Sequence, residues 1–187
     1  MKSFVAGVIV TLLCVVFGFY AYFAKGMAPV ATAARPMPFE RKLAHMALNA
    51  KIEKEMPKTV PIEANETNYL AGARDYLTHC AVCHGSPGKE ATAIARGEFP
   101  EPPELLKGKG VTDDPPGETY WKVANGIRLT GMPGFKQSLS ETQMWQISLL
   151  LANADKLPAS VAAALQVQPG ASSPATAAAA SQPASNK

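Results

Sequence analysis

Residues 80–84 read Cys-Ala-Val-Cys-His, and no other feature of the chain narrows its fold so far. The 187 residues hold three cysteines and three histidines, and the six positions from His79 to His84 take two of each. Chance placement of so few Cys and His would give C-x-x-C-H roughly once in two thousand chains. The spacing has a chemical reason. Two thiols three residues apart can each form a thioether with one vinyl group of a single porphyrin, while the next imidazole is carried beneath its iron. A zinc half-site would need a second ligand pair, and no other Cys or closely spaced His follows. A thioredoxin-like redox pair belongs beside βαβ units, and the chain shows no parallel-strand pattern. The reading is one covalent haem c, held by Cys80 and Cys83 with His84 as proximal ligand. His79 is expected at a helix end rather than on the metal.

Four stretches surround this site. Ser3 to Ala24 carries no charged side chain, and as a helix it would be roughly 33 Å long, enough to cross a bilayer. A cleavable signal has an apolar stretch of only about 7–15 residues, so residues 1–24 are expected to be an uncleaved transmembrane anchor. A signal cut near Ala31-Thr32-Ala33 is the alternative. Cys14 sits inside this run as a small hydrophobe. Lys2 is the one charged side chain before the span and Lys25 opposes it, so charge orients the anchor weakly. Residues 25–64 are expected to be a Pro/Ala linker and a stalk helix with Phe39, Leu43, Met46, Ala47 and Ala50 on one face, lying on the domain or on the membrane surface, with a docking site for a partner subunit as the alternative. His45 is read there as a solvated surface residue. Residues 159–187, rich in Ala, Pro and Ser, are expected to be a disordered tail.

Residues 65–158 remain as the haem domain. Tyr69, Gly72, Ala73, Tyr76 and Leu77 follow helical spacing. A helix is expected from near Gly117 to Asn125-Gly126, and another behind a Ser140–Gln143 capping box. Between Gly85 and Pro116, Gly and Pro dominate and no helix or strand period is sustained. Three short helices make a thin core unless a prosthetic group fills the middle. Two methionines follow His84. Met144 lies on the last helix, where a core role is expected. Met132 lies in Thr130-Gly131-Met132-Pro133-Gly134-Phe135, where Pro and Gly prevent a helix and let the backbone approach a flat ring. A formal net charge of +3 with 18% charged residues points to no nucleic-acid partner.

The runs GARDYLTHCAVCHG and YWKVANGIRLTGMPGF together resemble a class I cytochrome c. They are most similar to the membrane-anchored, single-haem cytochromes that serve periplasmic dehydrogenases and terminal oxidases. The resemblance covers about Asn65 to Pro158, with strength at the haem motif and the Met loop. It implies an all-α fold of three main short helices around one covalent haem, with Gly72 and Tyr76 crossing Trp145 and Leu149; the transmembrane helix that precedes this fold, and the tail, lie outside the resemblance. It implies His84 and Met132 as axial ligands, and a carbonyl at Pro102 or Pro103 accepting the proximal imidazole's proton. The expected role is that of an electron-transfer protein rather than an enzyme. Single electrons would pass between a dehydrogenase donor and an oxidase acceptor at a bacterial inner membrane, with the haem domain in the periplasm. Burial of the ring under Trp121, Ile127, Leu129 and Phe135 is expected, with Lys89, Lys136 and Lys109 either docking an acidic partner at the haem edge or merely solvated. The rival readings are a ligand-binding or peroxidatic haem protein with a labile sixth ligand, and an accessory structural subunit.

Overall fold

The computed structural model describes residues 1–167, and every described element is helical. Residues 168–187, most of the expected tail, lie outside the described residues. The chain divides into two compact units, Met1–Ala50 and Lys51–Lys187.

The first unit contains helix α1 (Lys2–Ala24) and most of helix α2 (Glu40–Glu55). α1 buries none of its residues against protein and is long and apolar enough to cross a membrane. α2 begins at Glu40, whose carboxylate accepts the backbone N–H of Met37 at 2.7 Å. Its expected apolar face is exposed: Leu43 is 57% and Met46 61% accessible, and Phe39, just before the helix, is 73% accessible.

The second unit is built on α3 (Glu66–His79), a single turn α4 (Ala81–His84), a short α5 (Ala93–Gly97), α6 (Pro116–Asn125), α7 (Glu141–Ala152) and α8 (Ala159–Ala164). Local chemistry sets the ends. Asn65 caps α3 by accepting the N–H of Asn68, and Pro116 supplies a fixed φ at the start of α6. The expected capping box of α7 is formed, with Ser140 Oγ accepting the N–H of Gln143 and Gln143 Oε1 accepting the N–H of Ser140.

α3 and α7 make the main packing interface, and α6 also packs on α7. Gly72 allows the crossing: any Cβ there would overlap the backbone carbonyl of Gln146. The contact therefore falls between Trp145 and Leu149, where the resemblance puts it. Around it Ala73, Tyr76, Ile147, Leu150 and Leu151 are buried, and each large aliphatic contributes about 1.5–3 kcal/mol. Tyr120 of α6 stacks on Trp145 with ring centroids 4.2 Å apart.

Packing in the second unit continues on both sides of residues 65–158. On the C-terminal side, residues 159–167 are not tail: α8 packs on α3 and buries Val161 and Leu165. The run is short and uncharged, and the apolar surface of α3 gives it something to cover. On the N-terminal side the unit begins at Lys51 rather than Asn65. Ile52 is 2% exposed, Trp121 Nε1 donates to Glu55, and the Pro57 carbonyl fills the space where a side chain at Gly117 would stand.

The Gly72 contact predicts that Gly72→Ala costs about 1–3 kcal/mol by overpacking. Gly97→Ala, with nothing within 4 Å of its Cβ, is expected to change stability by less than about 0.5 kcal/mol. Thermal unfolding of the two variants checks the difference.

Candidate haem site

α3 breaks at Cys80. It stays in the right-handed helical region, but its φ stretches to −113°, and its N–H still bonds the Tyr76 carbonyl at 2.8 Å. The same residue starts α4, whose turn is closed by the N–H groups of Cys83 and His84 on the Cys80 carbonyl at 3.1 and 2.9 Å. Gly85 then leaves the turn at φ 75°, a backbone state that costs glycine little. Buried Tyr76 holds the far end, because its hydroxyl donates to the Gly85 carbonyl at 2.8 Å. Burial pushes the Tyr76 hydroxyl pKa above its ordinary value, so it is a neutral donor at physiological pH.

The three motif side chains meet different surroundings. Cys80 packs against the core, and burial pushes its thiol up to about 12. Cys83 is more open and donates to Glu98 Oε1 at 3.2 Å. Its thiol is also raised, by desolvation first and by the Glu98 hydrogen bond second. His84 Nδ1 lies 2.8 Å from the Pro103 carbonyl oxygen. A carbonyl only accepts, so Nδ1 carries the proton and the Nε2 lone pair is left for a metal. Of the two prolines allowed by the resemblance, Pro103 is the partner. This donor set fits a covalent haem: two neutral thiols on one turn and an imidazole in the metal-binding tautomer, oriented by a backbone carbonyl.

Met132 lies on the loop between α6 and α7. That loop is tied back to α6 by backbone bonds from Phe135 N–H to Val123 O at 2.9 Å and from Lys136 N–H to Ala124 O at 3.2 Å. Inside it the Met132 carbonyl accepts from Ile127 N–H at 3.2 Å, and Thr130 Oγ1 accepts the Met132 N–H at 3.1 Å while donating to the Ile127 carbonyl at 2.7 Å. Gly126, at φ 68°, lets the loop press on its backbone, where a Cβ would meet Met132, Pro133 and Gly134. The Met132 side chain is half-buried against the same core as Cys80, Leu105, Leu106, Val111, Tyr120 and Phe135. The Glu98 carboxylate lies against both Cys83 and Gly131, next to Met132. The attachment turn and the Met loop are thus one carboxylate apart.

Several expected neighbours are placed elsewhere. Leu129 is 92% exposed at φ 60°, and the Trp121 ring is held toward Glu55. Phe135 does pack on the core and contacts His79 edge-on, with centroids 5.9 Å apart. Lys109 is paired with Asp113 at 2.7 Å. The charged group placed at Cys83 is the carboxylate of Glu98, not a lysine. The sequence reading missed Glu98 because it sits in the Gly/Pro-rich loop, where no period indicates which side chain turns inward.

Residues 67–149 match the family model described as cytochrome C oxidase, cbb3-type, subunit III, a match over somewhat less than half of the chain. Among solved structures, the Kuenenia stuttgartiensis reducing HAO-like protein complex is similar at 24% identity, with a TM-score of 0.44 over 55% of this chain. The chain spans about half (52%) of the chain it matches there. No curated protein sequence matches.

Tyr76→Phe should test the clamp on the motif. It removes the donor to the part-buried Gly85 O, at a cost of about 1 kcal/mol, measured by denaturant unfolding of the haem-loaded protein.

Proposed function

We propose, on the premise that residues 67–149 are a class I c-type cytochrome domain, that this protein is a membrane-anchored monohaem carrier of single electrons. The observation that carries the proposal is the 2.8 Å contact between His84 Nδ1 and the Pro103 carbonyl, which presents a metal-binding imidazole beside two thiols at attachment spacing. Bound haem supplies the chemistry of one-electron exchange between ferric and ferrous iron.

The chain's own residues do the rest. Cys80 and Cys83 hold the group covalently, so a small domain retains it. His84 is the proximal ligand, fixed by Pro103. Met132 is the sixth ligand, and its thioether favours the ferrous state. The Glu98 carboxylate beside Cys83 acts in the opposite direction by favouring the added positive charge of the ferric state. With His84 and Met132 both holding haem iron, the metal would offer no site to a substrate, which supports a carrier over a catalyst.

The matched family model bears the name of an oxidase subunit, and the partners we infer are redox proteins: a dehydrogenase donor, an oxidase acceptor, or both. α1 serves as the anchor. Covalent attachment requires an exported apoprotein with reduced thiols, so the haem domain is placed in the periplasm, at a bacterial inner membrane.

Met132→Ala is expected to abolish the far-red sulfur-to-iron absorption band of the oxidised protein. It should also lower the reduction potential and admit carbon monoxide to the reduced form. A wild-type protein that lacks this band and binds carbon monoxide readily would instead identify a ligand-binding haem protein.

A further inference from the structure

The apolar face of α2 has a consequence beyond electron transfer. One turn-to-turn stripe, Leu43, Met46, Ala47 and Ala50, faces solvent, and Phe39 extends it at the helix entry. Exposed apolar stripes bordered by charge mark membrane or protein contacts. Phe39 also holds a left-handed φ of 65°, a strained state for an aromatic residue, so its ring is displayed at a cost.

Charge and chain length say what covers this face. Residues 25–58 hold seven Lys and Arg against three Glu, a formal +4, whereas residues 59–187 hold ten against twelve, a formal −2. The positive charge of the whole chain is therefore concentrated next to the apolar span. The three carboxylates of that segment are occupied locally: Glu40 by the Met37 N–H, Glu53 by Lys58 at 3.1 Å, and Glu55 by Lys51 at 2.5 Å. The fifteen residues between α1 and α2 can extend about 50 Å at most, which keeps α2 within reach of the membrane surface. The stripe is confined to residues 39–50, because Ile52 turns into the protein, but an exposed apolar stripe with basic surroundings, tethered to a membrane span, shares two features of an interfacial helix.

We propose that α2 lies along the headgroup layer of the bilayer that α1 crosses. Phe39, Leu43, Met46 and Ala50 enter the lipid, and the basic residues of segment 25–58 rest against anionic headgroups. The proposal requires α1 to span the bilayer and is independent of how the iron is ligated.

The test uses the full chain with haem attached, carrying Cys14→Ser, in vesicles of phosphatidylethanolamine and phosphatidylglycerol. Nitroxide labels are placed singly on Leu43→Cys, His45→Cys and Leu12→Cys. His45 is exposed on the other side of α2. Expected is a loss of collision with a water-soluble nickel chelate at position 43, with oxygen collision retained, while position 45 stays open to the chelate and position 12 is protected throughout. Chelate access at both 43 and 45 with position 12 protected would overturn the interfacial helix and leave the span standing. Chelate access at position 12 would remove the span and the proposal together. Protection at 43 that excludes oxygen as well, or that grows with the protein-to-lipid ratio, would assign the face to a second copy or another protein and also overturn it.

Discussion

The backbone contact between Gly72 and Gln146 is the constraint on which the second unit depends. Two helices can approach this closely only where one of them lacks a side chain, and that approach fixes the register of α3 against α7. Seven residues after Gly72 the same helix reaches His79, and the attachment turn follows at once. The crossing thus positions Cys80, Cys83 and His84 with respect to the core before any loop is considered. Tyr76 transmits the placement, because its ring belongs to the crossing and its hydroxyl closes the turn at Gly85.

The remaining contributions to the site come from segments with little regular structure. Pro103 and Glu98 belong to the long connection between α4 and α6, and Met132 to the loop between α6 and α7. Each is held by specific backbone hydrogen bonds or side-chain contacts rather than by helical packing. A domain of this size has few apolar residues to spare, and the half-buried Leu105, Leu106, Val111, Tyr120 and Phe135 that pack against the core leave the kind of apolar surface a flat cofactor completes.

What could be read from residues alone followed the range of the physics involved. Helix periodicity and caps are local, so α3, α6 and α7 were legible, down to the Ser140–Gln143 box. The motif was legible because its chemistry demands residue types at fixed spacing. Gly72 was legible through resemblance, since nothing local says what a glycine must admit. By contrast, α8 depends on the apolar surface of α3, and Ile52 joins the haem unit only through contacts made in three dimensions. The stalk pattern correctly gave a helix but not which side would be covered. A helical wheel ranks faces by hydrophobicity, whereas the fold buries Ile52 and leaves Leu43 and Met46 outside. Glu98 and the choice of Pro103 over Pro102 depend on the path of an aperiodic loop.

The closure of the Met loop carries a kinetic consequence. Its hydrogen bonds run between Ile127, Thr130, Met132 backbone atoms, Val123 and Phe135, and none uses the thioether. Were Met132 to ligate haem iron as proposed, the loop that carries it would stay attached to α6 when the sulfur let go. The sulfur would remain at a high effective concentration beside the iron. Release and rebinding would then need a side-chain rotation instead of an opening of the domain, and a competing ligand from solution would have to win a race against a tethered one.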